Sequence, residues 1–245
     1  MGRGQISAMI GKKLEGRAVP EEAEIRNRIL LSLRREARAF LAPRLTTRPL
    51  TAGEILFRDG EPRTHAVFPH EGVVAIVARM ADGRRAEMAA VGFEGFVGFG
   101  LLDNREAAVG ATMVEVPGLA AFLAAADLIA AREQFECMRE AMLHYATTLI
   151  GQLMVSAACN SLHGAEQRIA RRLLETRDRM VGETFALTQQ TLAEALSLRR
   201  ATVGATCARL QREGAIRYSR GALTILRQER LEAVACECRR RVREA

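Results

Sequence analysis

The chain has 245 residues, of which 49% are hydrophobic and 27% are charged, and its formal net charge is +7. This length is sufficient for two compact domains, and the composition is that of an ordinary globular protein rather than a disordered one. No run of about 18 uncharged apolar residues predicts a transmembrane helix, and the first residues lack the apolar core of a secretory signal. We therefore expect a cytoplasmic protein without a membrane partner.

The positive charge is concentrated in the last third of the chain. Residues 163–245 contain 17 arginines, no lysine and 10 acidic residues, whereas residues 1–162 contain 19 basic and 19 acidic residues. The whole net charge therefore belongs to the C-terminal part. Arginines that serve only solubility are normally scattered along a chain, so a basic region joined to a neutral one indicates a phosphate-rich partner and favours nucleic acid.

The N-terminal part predicts a mobile arm followed by a helix. Residues 1–22 are polar, contain glycine and show no sustained periodicity, which is typical of a mobile arm. Residues 22–41 carry apolar side chains at a four-residue spacing, which predicts one helix that Pro43 terminates. The repeating positions are Ile25, Ile29, Leu33 and Ala37.

Residues 45–118 have the pattern of strands. Short apolar segments are separated by Gly, Pro and Asp; residues 73–78 are rich in β-branched side chains, and Ala81-Asp82-Gly83 is a hairpin signal. Strands at intervals of about 8–12 residues indicate an antiparallel β-sandwich or β-roll rather than alternating β–α units.

The pattern becomes helical again from residue 119 to residue 160. Within this range, apolar residues step by three or four positions and predict a dimerisation helix over residues 135–161. The predicted seam consists of Met138, Met142, Tyr145, Leu149 and Gln152. A neighbouring stripe of Leu143, Ile150 and Leu153 is then available to pack on the β-roll. The alternative is one broad amphipathic face buried within its own domain.

The C-terminal region predicts a helix at residues 162–180, and then two short helices joined by a turn between residues 188 and 211. Apolar spacing places these side chains inward: Leu162, Ile169, Leu173 and Leu174 on the first helix, Leu192, Ala195 and Leu196 on the second, and Val203, Cys207 and Leu210 on the third. Ser197 is a candidate N-terminal cap for the third helix. The pair has the helix-turn-helix pattern, although two helices in any core would share it.

A hairpin follows this helix pair. Gly214 ends the last helix, and residues 216–226 have the pattern of strand, tight turn and strand. A β-hairpin directly after a helix-turn-helix makes a winged helix, and its tip, Ser219-Arg220-Gly221, is placed to contact phosphates. The predicted fold class is α+β, with an N-terminal antiparallel β-roll, a long dimerisation helix and a C-terminal winged helix-turn-helix.

This arrangement resembles the Crp/Fnr family of bacterial transcription regulators over nearly the whole chain. The resemblance is carried in the β-roll by Leu50-x-x-Gly53-Glu54-x-Leu56-Phe57 with Gly60 and by Gly72-Val73-Val74, and more specifically by Glu166-Gln167-Arg168-Ile169-Ala170, Leu187-Thr188-Gln189, Arg200-Ala201-Thr202-Val203 and Gly214-x-Ile216. It implies a cyclic-nucleotide-binding-like sensor domain at residues 23–134 and a DNA-binding domain at residues 162–245. It also implies a homodimer that binds an approximately palindromic site in double-stranded DNA. Where this homodimer activates transcription, it is expected to contact RNA polymerase.

The family's nucleotide site is where the sequence departs from the resemblance. Cyclic-nucleotide binders in the family present Gly-Glu-Leu, whose Glu accepts from a ribose hydroxyl, and later an Arg that pairs with the cyclic phosphate. Here the first motif reads Gly98-Phe99-Gly100-Leu101, and Arg105-Glu106-Ala107 is a weak match to the second. Each lost charge-assisted hydrogen bond costs about 1.5–3 kcal/mol. We therefore predict that the chain does not bind cyclic AMP in the usual way.

Other cofactors of the family have little support in the sequence. No cysteine precedes Cys137 to hold an N-terminal iron–sulfur cluster, and single histidines such as His65 and His70 in loop-like sequence are usually solvated rather than haem ligands. No cofactor is therefore expected, and the effector is left unidentified.

The second helix of the predicted helix-turn-helix is the candidate recognition helix, which enters the major groove of DNA. We expect it to make few direct contacts to bases. The face opposite its buried side centres on Ala201, Ala205, Ala208 and Arg212, and alanine cannot hydrogen-bond to a base. Arg200 is the candidate for reading guanine, with Arg199 beside it and Thr202 at the edge of the face. Phosphate contacts are expected from Thr188, Gln189, Thr206, Arg209, Ser219 and Arg220.

Signals for catalysis and for metal binding are weak. The sequence has no GxSxG, HExxH, P-loop or glycine-rich dinucleotide motif, so we expect no enzymatic activity. Cys236 and Cys238 supply only two of the four ligands of a structural zinc site, and His144 or His163 would join them only through tertiary folding. No metal site is therefore predicted. The competing hypothesis is an effector-binding signalling module whose C-terminal domain contacts protein rather than DNA.

Overall fold

The structure is a computed structural model that describes residues 25–102 and 110–240. The predicted arm at residues 1–22 and the segment Arg105-Glu106-Ala107 lie outside the described residues. The chain divides into two compact units, Met1–Val74 with Val91–Tyr145, and Ala75–Ala90 with Ala146–Ala245. The domain boundaries at residues 134/135 and 161/162 stay predictions.

The N-terminal helical region consists of two short helices, α1 (Arg28–Ser32) and α2 (Arg35–Leu41), where the sequence predicted one. The Ser32 hydroxyl donates to the Ile29 carbonyl 2.8 Å away, and Leu33 has extended backbone, so α1 ends after five residues. The predicted apolar positions within the two helices and between them are all buried: Ile29, Leu33 and Ala37.

Five strands form the N-terminal sheet: β1 (Thr46–Leu50), β2 (Ile55–Phe57), β3 (His65–Arg79), β4 (Arg85–Val91) and β5 (Ala111–Ala124). Their order is β1-β5-β3-β4, with β2 also paired to β5. Strands β1 and β2 both run antiparallel to β5. The predicted antiparallel sheet in this part of an α+β chain is therefore confirmed.

The end of β5 corrects the sequence prediction, which began a helix at residue 119. Residues 118–122 pair with β1 in the register Leu50↔Gly118 to Thr46↔Phe122, and helix α3 (Ala125–Gln134) begins only after β5. Alanine and leucine favour a helix locally. Here β1 satisfies the amide groups of the apolar stretch while its side chains enter the core, so tertiary pairing outweighs local propensity.

The predicted dimerisation helix at residues 135–161 corresponds to helix α4 (Glu136–Leu162), which agrees to within one residue at each end. Extended backbone at Phe135 separates α4 from α3. The long helical region of the sequence is therefore the end of a strand and two helices.

The apolar stripes of α4 are the reverse of those predicted. Met138, Met142 and Tyr145 were assigned to a dimer seam, but they lie in the core of the first unit with 3% exposure or less. The reason is aromatic packing: the Tyr145 ring lies 5.7 Å from the Phe96 ring and 5.6 Å from the Phe99 ring, between centroids. Of the other predicted seam residues, Leu149 is also buried and Gln152 is half-buried. The stripe predicted to pack on the sheet is instead exposed: Leu143, Ile150 and Leu153, together with Met154.

The second unit contains helices α5 (Ala165–Asp178), α6 (Gln189–Ala195), α7 (Arg200–Arg212) and α8 (Gln228–Val234), and strands β6 (Thr184–Ala186), β7 (Ile216–Ser219) and β8 (Ala222–Ile225). The strands form an antiparallel sheet of order β6-β8-β7. Helix α5 buries Ile169, Leu173 and Leu174 as predicted, but Leu162 is exposed because it belongs to the last turn of α4. No helix within residues 25–102 and 110–240 has the length and apolarity needed to cross a bilayer.

Candidate nucleic-acid interface

Helices α6 and α7 form the predicted helix-turn-helix, and a hydrogen bond starts its first helix. The Thr188 hydroxyl accepts from Thr191 N at 3.0 Å, which caps α6. Leu192, Ala193 and Leu196 are buried on the inner face of α6. Ala195, which was predicted to be inward, is half-buried, and Ala193 takes the inner position.

Ser197 ends α6 rather than capping α7, which corrects the prediction. Its φ of 52° is left-handed, Ser197 N donates to the Glu194 carbonyl at 3.2 Å, and Leu198 N donates to the Ala193 carbonyl at 2.9 Å. These two bonds form a Schellman motif with serine in the position usually taken by glycine. The N-cap of α7 is Arg199, which makes no side-chain capping bond. The turn is thus set by the C-terminus of α6.

Helix α7 buries one face, as predicted. Val203, Cys207 and Leu210 have no measurable exposure, and burial raises the pKa of the Cys207 thiol to about 11, which keeps it protonated at neutral pH. The opposite face is exposed at Ala201, Thr202, Ala205 and Ala208, while Thr206 is half-buried. The two helices are close at Gly204, where a Cβ atom would make an ordinary van der Waals contact with Gln189 Oε1 at 3.4 Å. The predicted contact residue Gln189 is therefore half-buried against α7.

Arg199 and Arg200 lie at the start of α7 and are both exposed. Within the described part of the chain, neither guanidinium forms a side-chain hydrogen bond or an ion pair. The N-terminus of a helix carries a partial positive charge, so the two arginines and the helix end attract the same anion.

Arg209, another predicted phosphate ligand, forms ion pairs within the protein. Its guanidinium forms an ion pair with the Glu166 carboxylate of α5 and lies 3.6 Å from Glu213 Oε1. Two neighbouring carboxylates reduce its attraction for a phosphate. Its clearest role is to join α7 to α5, and sequence spacing alone gave no sign of the contact with Glu166.

The wing is formed by β7, β8 and a two-residue turn. Arg220 and Gly221 have φ values of 51° and 82°, which is the geometry of a type I′ hairpin turn. Ser219 and Arg220 are exposed at this tip, as predicted. Strand β6, which was not predicted, pairs with β8 and continues into the start of α6.

Tyr218 attaches the wing to the helix-turn-helix. Its hydroxyl donates to the Leu187 carbonyl, its backbone N–H donates to Gln211 Oε1 at 2.7 Å, and burial raises the pKa of the phenol. Leu187 N also donates to the Gly221 carbonyl at 3.1 Å. The sequence analysis did not predict these contacts or strand β6. The alternation of Phe185 and Leu187 before the Thr188 cap was an available signal for β6.

Comparisons with known proteins match both halves of this architecture. Two family models match the sequence, the cyclic nucleotide-binding domain over residues 47–134 and the Crp-like helix-turn-helix domain over residues 167–234. A search of curated protein sequences returns no significant match.

Solved structures share the fold over nearly their whole length. TTHB099, a transcriptional regulator of the CRP family from Thermus thermophilus, has a TM-score of 0.65 and 20% identity, and the match covers 77% of this chain and 96% of that one. FixK2 from Bradyrhizobium japonicum has a TM-score of 0.64 and 16% identity over 78% and 98% of the two chains. The c-di-GMP responsive regulator CLP from Xanthomonas campestris has a TM-score of 0.60 and 17% identity over the same shares. The chain belongs to the Crp/Fnr family. Its two domains are those of a DNA-binding transcription regulator.

Aromatic packing surrounds Phe99, the residue that the resemblance aligns with the ribose acceptor of cyclic-nucleotide binders. Phe99 stands where the resemblance places the ribose acceptor, in a short 3-10 turn at Phe99–Leu102. Its ring centroid lies 4.9 Å from that of Phe96 and 5.6 Å from that of Tyr145. A phenyl ring in this contact offers no acceptor for a ribose hydroxyl.

Proposed function

We propose that this Crp/Fnr protein is a homodimeric regulator that binds an approximately palindromic site in double-stranded DNA and does not bind cyclic AMP in the usual way. The observation that carries the proposal is the exposed pair Arg199 and Arg200 at the N-terminus of α7. The net charge of +7 on residues 163–245 supports it, because phosphate neutralisation supplies most of the affinity for DNA. Where the regulator activates transcription, its further partner is RNA polymerase.

Base reading and phosphate contact are assigned to different residues. Arg200 lies in the first turn of α7, from which recognition helices reach base edges, and a bidentate contact to guanine discriminates by about 1–3 kcal/mol. Arg220 is at the tip of the wing and contacts phosphate, which carries no sequence information. Thr188, Thr206 and Ser219 are the further polar candidates at the same surface, with Thr202 at the edge of the reading face.

The test compares three arginine variants on a bound site selected from random DNA. Arg200→Ala should lose about 5–150-fold in affinity for the selected site and less for unrelated DNA, because a base contact of about 1–3 kcal/mol is removed. Arg220→Ala should weaken both DNAs by the same factor and reduce the slope of log affinity against log salt by about one. Arg38→Ala, an exposed arginine of α2, removes the same charge from the first unit and is the control.

Two results contradict this assignment. Equal losses on both DNAs for Arg200→Ala would remove its role in base reading. Affinity for DNA that is independent of salt would instead favour the alternative, in which the C-terminal domain contacts protein.

The homodimer is proposed through the exposed stripe of α4 rather than the one predicted from sequence. Leu143, Ile150 and Met154 are 58–69% exposed, and Leu153 lies beside them. Leu143 and Ile150 are seven residues apart, as are Ile150 and Ala157, which is the heptad spacing of a shared coiled-coil seam. Exposed apolar residues repeated along a helix at this spacing mark a protein contact.

The dimer is tested by sedimentation with the same substitution at two exposed isoleucines. Ile150→Asp places a charge in the proposed seam and should yield monomers. Ile55→Asp in β2, where the side chain is 48% exposed, is the matched control and should leave the dimer intact. A wild-type monomer at high protein concentration would contradict the proposal, as would a dimer unaffected by Ile150→Asp.

The sensor proposal is tested by calorimetry with cyclic AMP at up to millimolar concentration. No saturable heat is expected, because Phe99 provides no ribose acceptor. Saturable binding would contradict this part of the proposal. A regulator with a different effector, or one controlled by its abundance, remains compatible with the DNA-binding function.

A further inference from the structure

A cluster of four metal-ligating side chains lies in the second unit and shares no residue with the set proposed to contact DNA. It comprises Cys159, His163, Cys236 and Cys238, whose ligand atoms all lie within 4.8 Å of one another. The first two are four residues apart at the end of α4, and the last two follow α8 with one residue between them. The sequence pattern indicated only Cys236 and Cys238, with His163 as one possible addition, and it did not indicate Cys159, because more than seventy residues separate the two parts of the cluster.

Two of the distances within the cluster are close to the edges of a tetrahedral site. Cys159 Sγ lies 3.5 Å from Cys236 Sγ, and Cys238 Sγ lies 3.6 Å from His163 Nδ1. A zinc ion with Zn–S of about 2.3 Å and Zn–N of about 2.0–2.1 Å has tetrahedral edges of about 3.8 Å between two sulfurs and about 3.6 Å between sulfur and nitrogen. Both observed separations agree with these edges to within about 0.3 Å.

Two other arrangements of cysteines fit less well. A disulfide requires its sulfurs about 2.05 Å apart, well below the 3.5 Å observed between Cys159 and Cys236. All ligand atoms of this cluster lie within 4.8 Å of one another, so a shift of at most about 1 Å brings the widest pair to the edge of about 3.8 Å around one tetrahedral ion. An iron–sulfur cluster distributes its thiolates over several iron atoms and needs wider spacing. The set matches one ion.

The surroundings of His163 are those of a metal-bound histidine. Nδ1 faces Cys238, and Nε2 lies 3.4 Å from Glu237 Oε2. Metal-ligating histidines almost always donate the second ring N–H to a carboxylate or carbonyl, which fixes the ring and its tautomer. Glu237 stands between Cys236 and Cys238 in the sequence, so one short segment supplies two ligands and the carboxylate that orients a third.

Burial and charge are also suited to a bound cation. The three cysteines are 5% exposed or less and pack with Val155. Three thiolates on a divalent ion leave one negative charge, and Arg168 and Arg171 lie within electrostatic range of Cys159 to balance it.

We propose that one zinc ion is bound at this cluster by four side chains, Cys159, His163, Cys236 and Cys238. Three thiols release their protons to solvent as they bind, and no electrons are transferred. All four positions of a tetrahedral ion are taken by protein, so the site is structural rather than catalytic. The ion ties the segment after α8 to the corner between α4 and α5.

The proposal is tested by metal analysis of the full chain, purified under reducing conditions and passed through gel filtration. About one zinc per chain is expected, and cobalt in its place should give the intense visible bands of a tetrahedral thiolate complex. Cys236→Ser and Cys238→Ser should each lose most of the metal. Cys137→Ser, a cysteine of the first unit, is the matched control and should keep it.

A milder variant covers the case in which a ligand substitution prevents folding. Glu237→Gln leaves all four ligands in place and should lower zinc affinity by about 10–100-fold in a competition with a chromogenic chelator. Three results would overturn the proposal: no retention of added equimolar zinc, retention by Cys236→Ser and Cys238→Ser equal to that of the wild type, or an iron–sulfur absorption spectrum in the purified protein. None of these readouts depends on DNA binding.

Discussion

The ion pair between Arg172 of α5 and Glu87 of β4 should make a large contribution to the stability of the second unit. Two parallel hydrogen bonds join the side chains, Nη1 to Oε1 and Nη2 to Oε2, each 2.8 Å long. The side chains are only 5% and 12% exposed. Removing one member of a buried, bidentate pair deprives the other of its two charge-assisted hydrogen bonds and costs about 3–5 kcal/mol.

Glu87→Gln, Arg172→Met and the double variant measure this contribution. Each single substitution should lower the free energy of unfolding by about 3–5 kcal/mol, equivalent to about 10 °C in the melting temperature of a chain of this length. The double variant should lose less than the sum, with a coupling free energy of about 2–3 kcal/mol, because the two single variants remove the same pair of hydrogen bonds. Urea unfolding followed by circular dichroism supplies the values.

A surface pair of the same length provides the control. Arg84 Nε lies 2.7 Å from Asp82 Oδ2, but the two side chains are 83% and 52% exposed. Asp82→Asn should therefore lower the free energy of unfolding by less than about 1 kcal/mol, and this effect should decrease further in salt. The coupling free energy between Arg172 and Glu87 should persist in salt. If Glu87→Gln costs no more than Asp82→Asn, or if the two single effects simply add, the argument from burial fails.

The remaining predictions concern the first unit. Burial, aided by the charge of Arg26, lowers the pKa of His70 from its usual 6.5 to about 4, so the unfolded chain binds more protons between these values. The stability due to neutral His70 is complete above about pH 6.5 and falls by up to about 3 kcal/mol towards pH 4. His70→Gln should flatten the dependence of the free energy of unfolding on pH in this range, measured by urea unfolding. An unchanged slope would contradict the assignment of this dependence to His70. A Cβ atom at Gly118 would lie 2.0 Å from the Glu71 carbonyl oxygen, so Gly118→Ala should cost about 3 kcal/mol or more in the same assay. As a control in the second unit, Gly164→Ala has no such clash, since the nearest atom is 3.9 Å away, and should cost only about 1 kcal/mol or less from the preference of an N-cap for glycine over alanine.

Local patterns were enough to predict the recognition helix and the wing. The spacing of Val203, Cys207 and Leu210 fixes which face of α7 is buried, because an α-helix brings such positions to one side whatever it packs against. Gly221 likewise indicates a tight hairpin, since a two-residue turn needs positive φ and glycine adopts it without steric cost. The exposed arginines at the start of α7 follow from the same helical periodicity.

Tertiary structure decided the features that depend on partners distant in sequence. Helix α4 has two apolar stripes with the same spacing of three or four positions, so periodicity does not distinguish them. Packing with the aromatic core around Phe96 determines that Tyr145 is buried and Ile150 is exposed. Residues 119–122 could form a helix by propensity and became part of a strand because β1 pairs with them. The cysteine and histidine cluster is the extreme case. Each half is a common pair of residues with no metal-binding signature, and only the packing of the C-terminal segment against the end of α4 brings four ligand atoms within the reach of one ion.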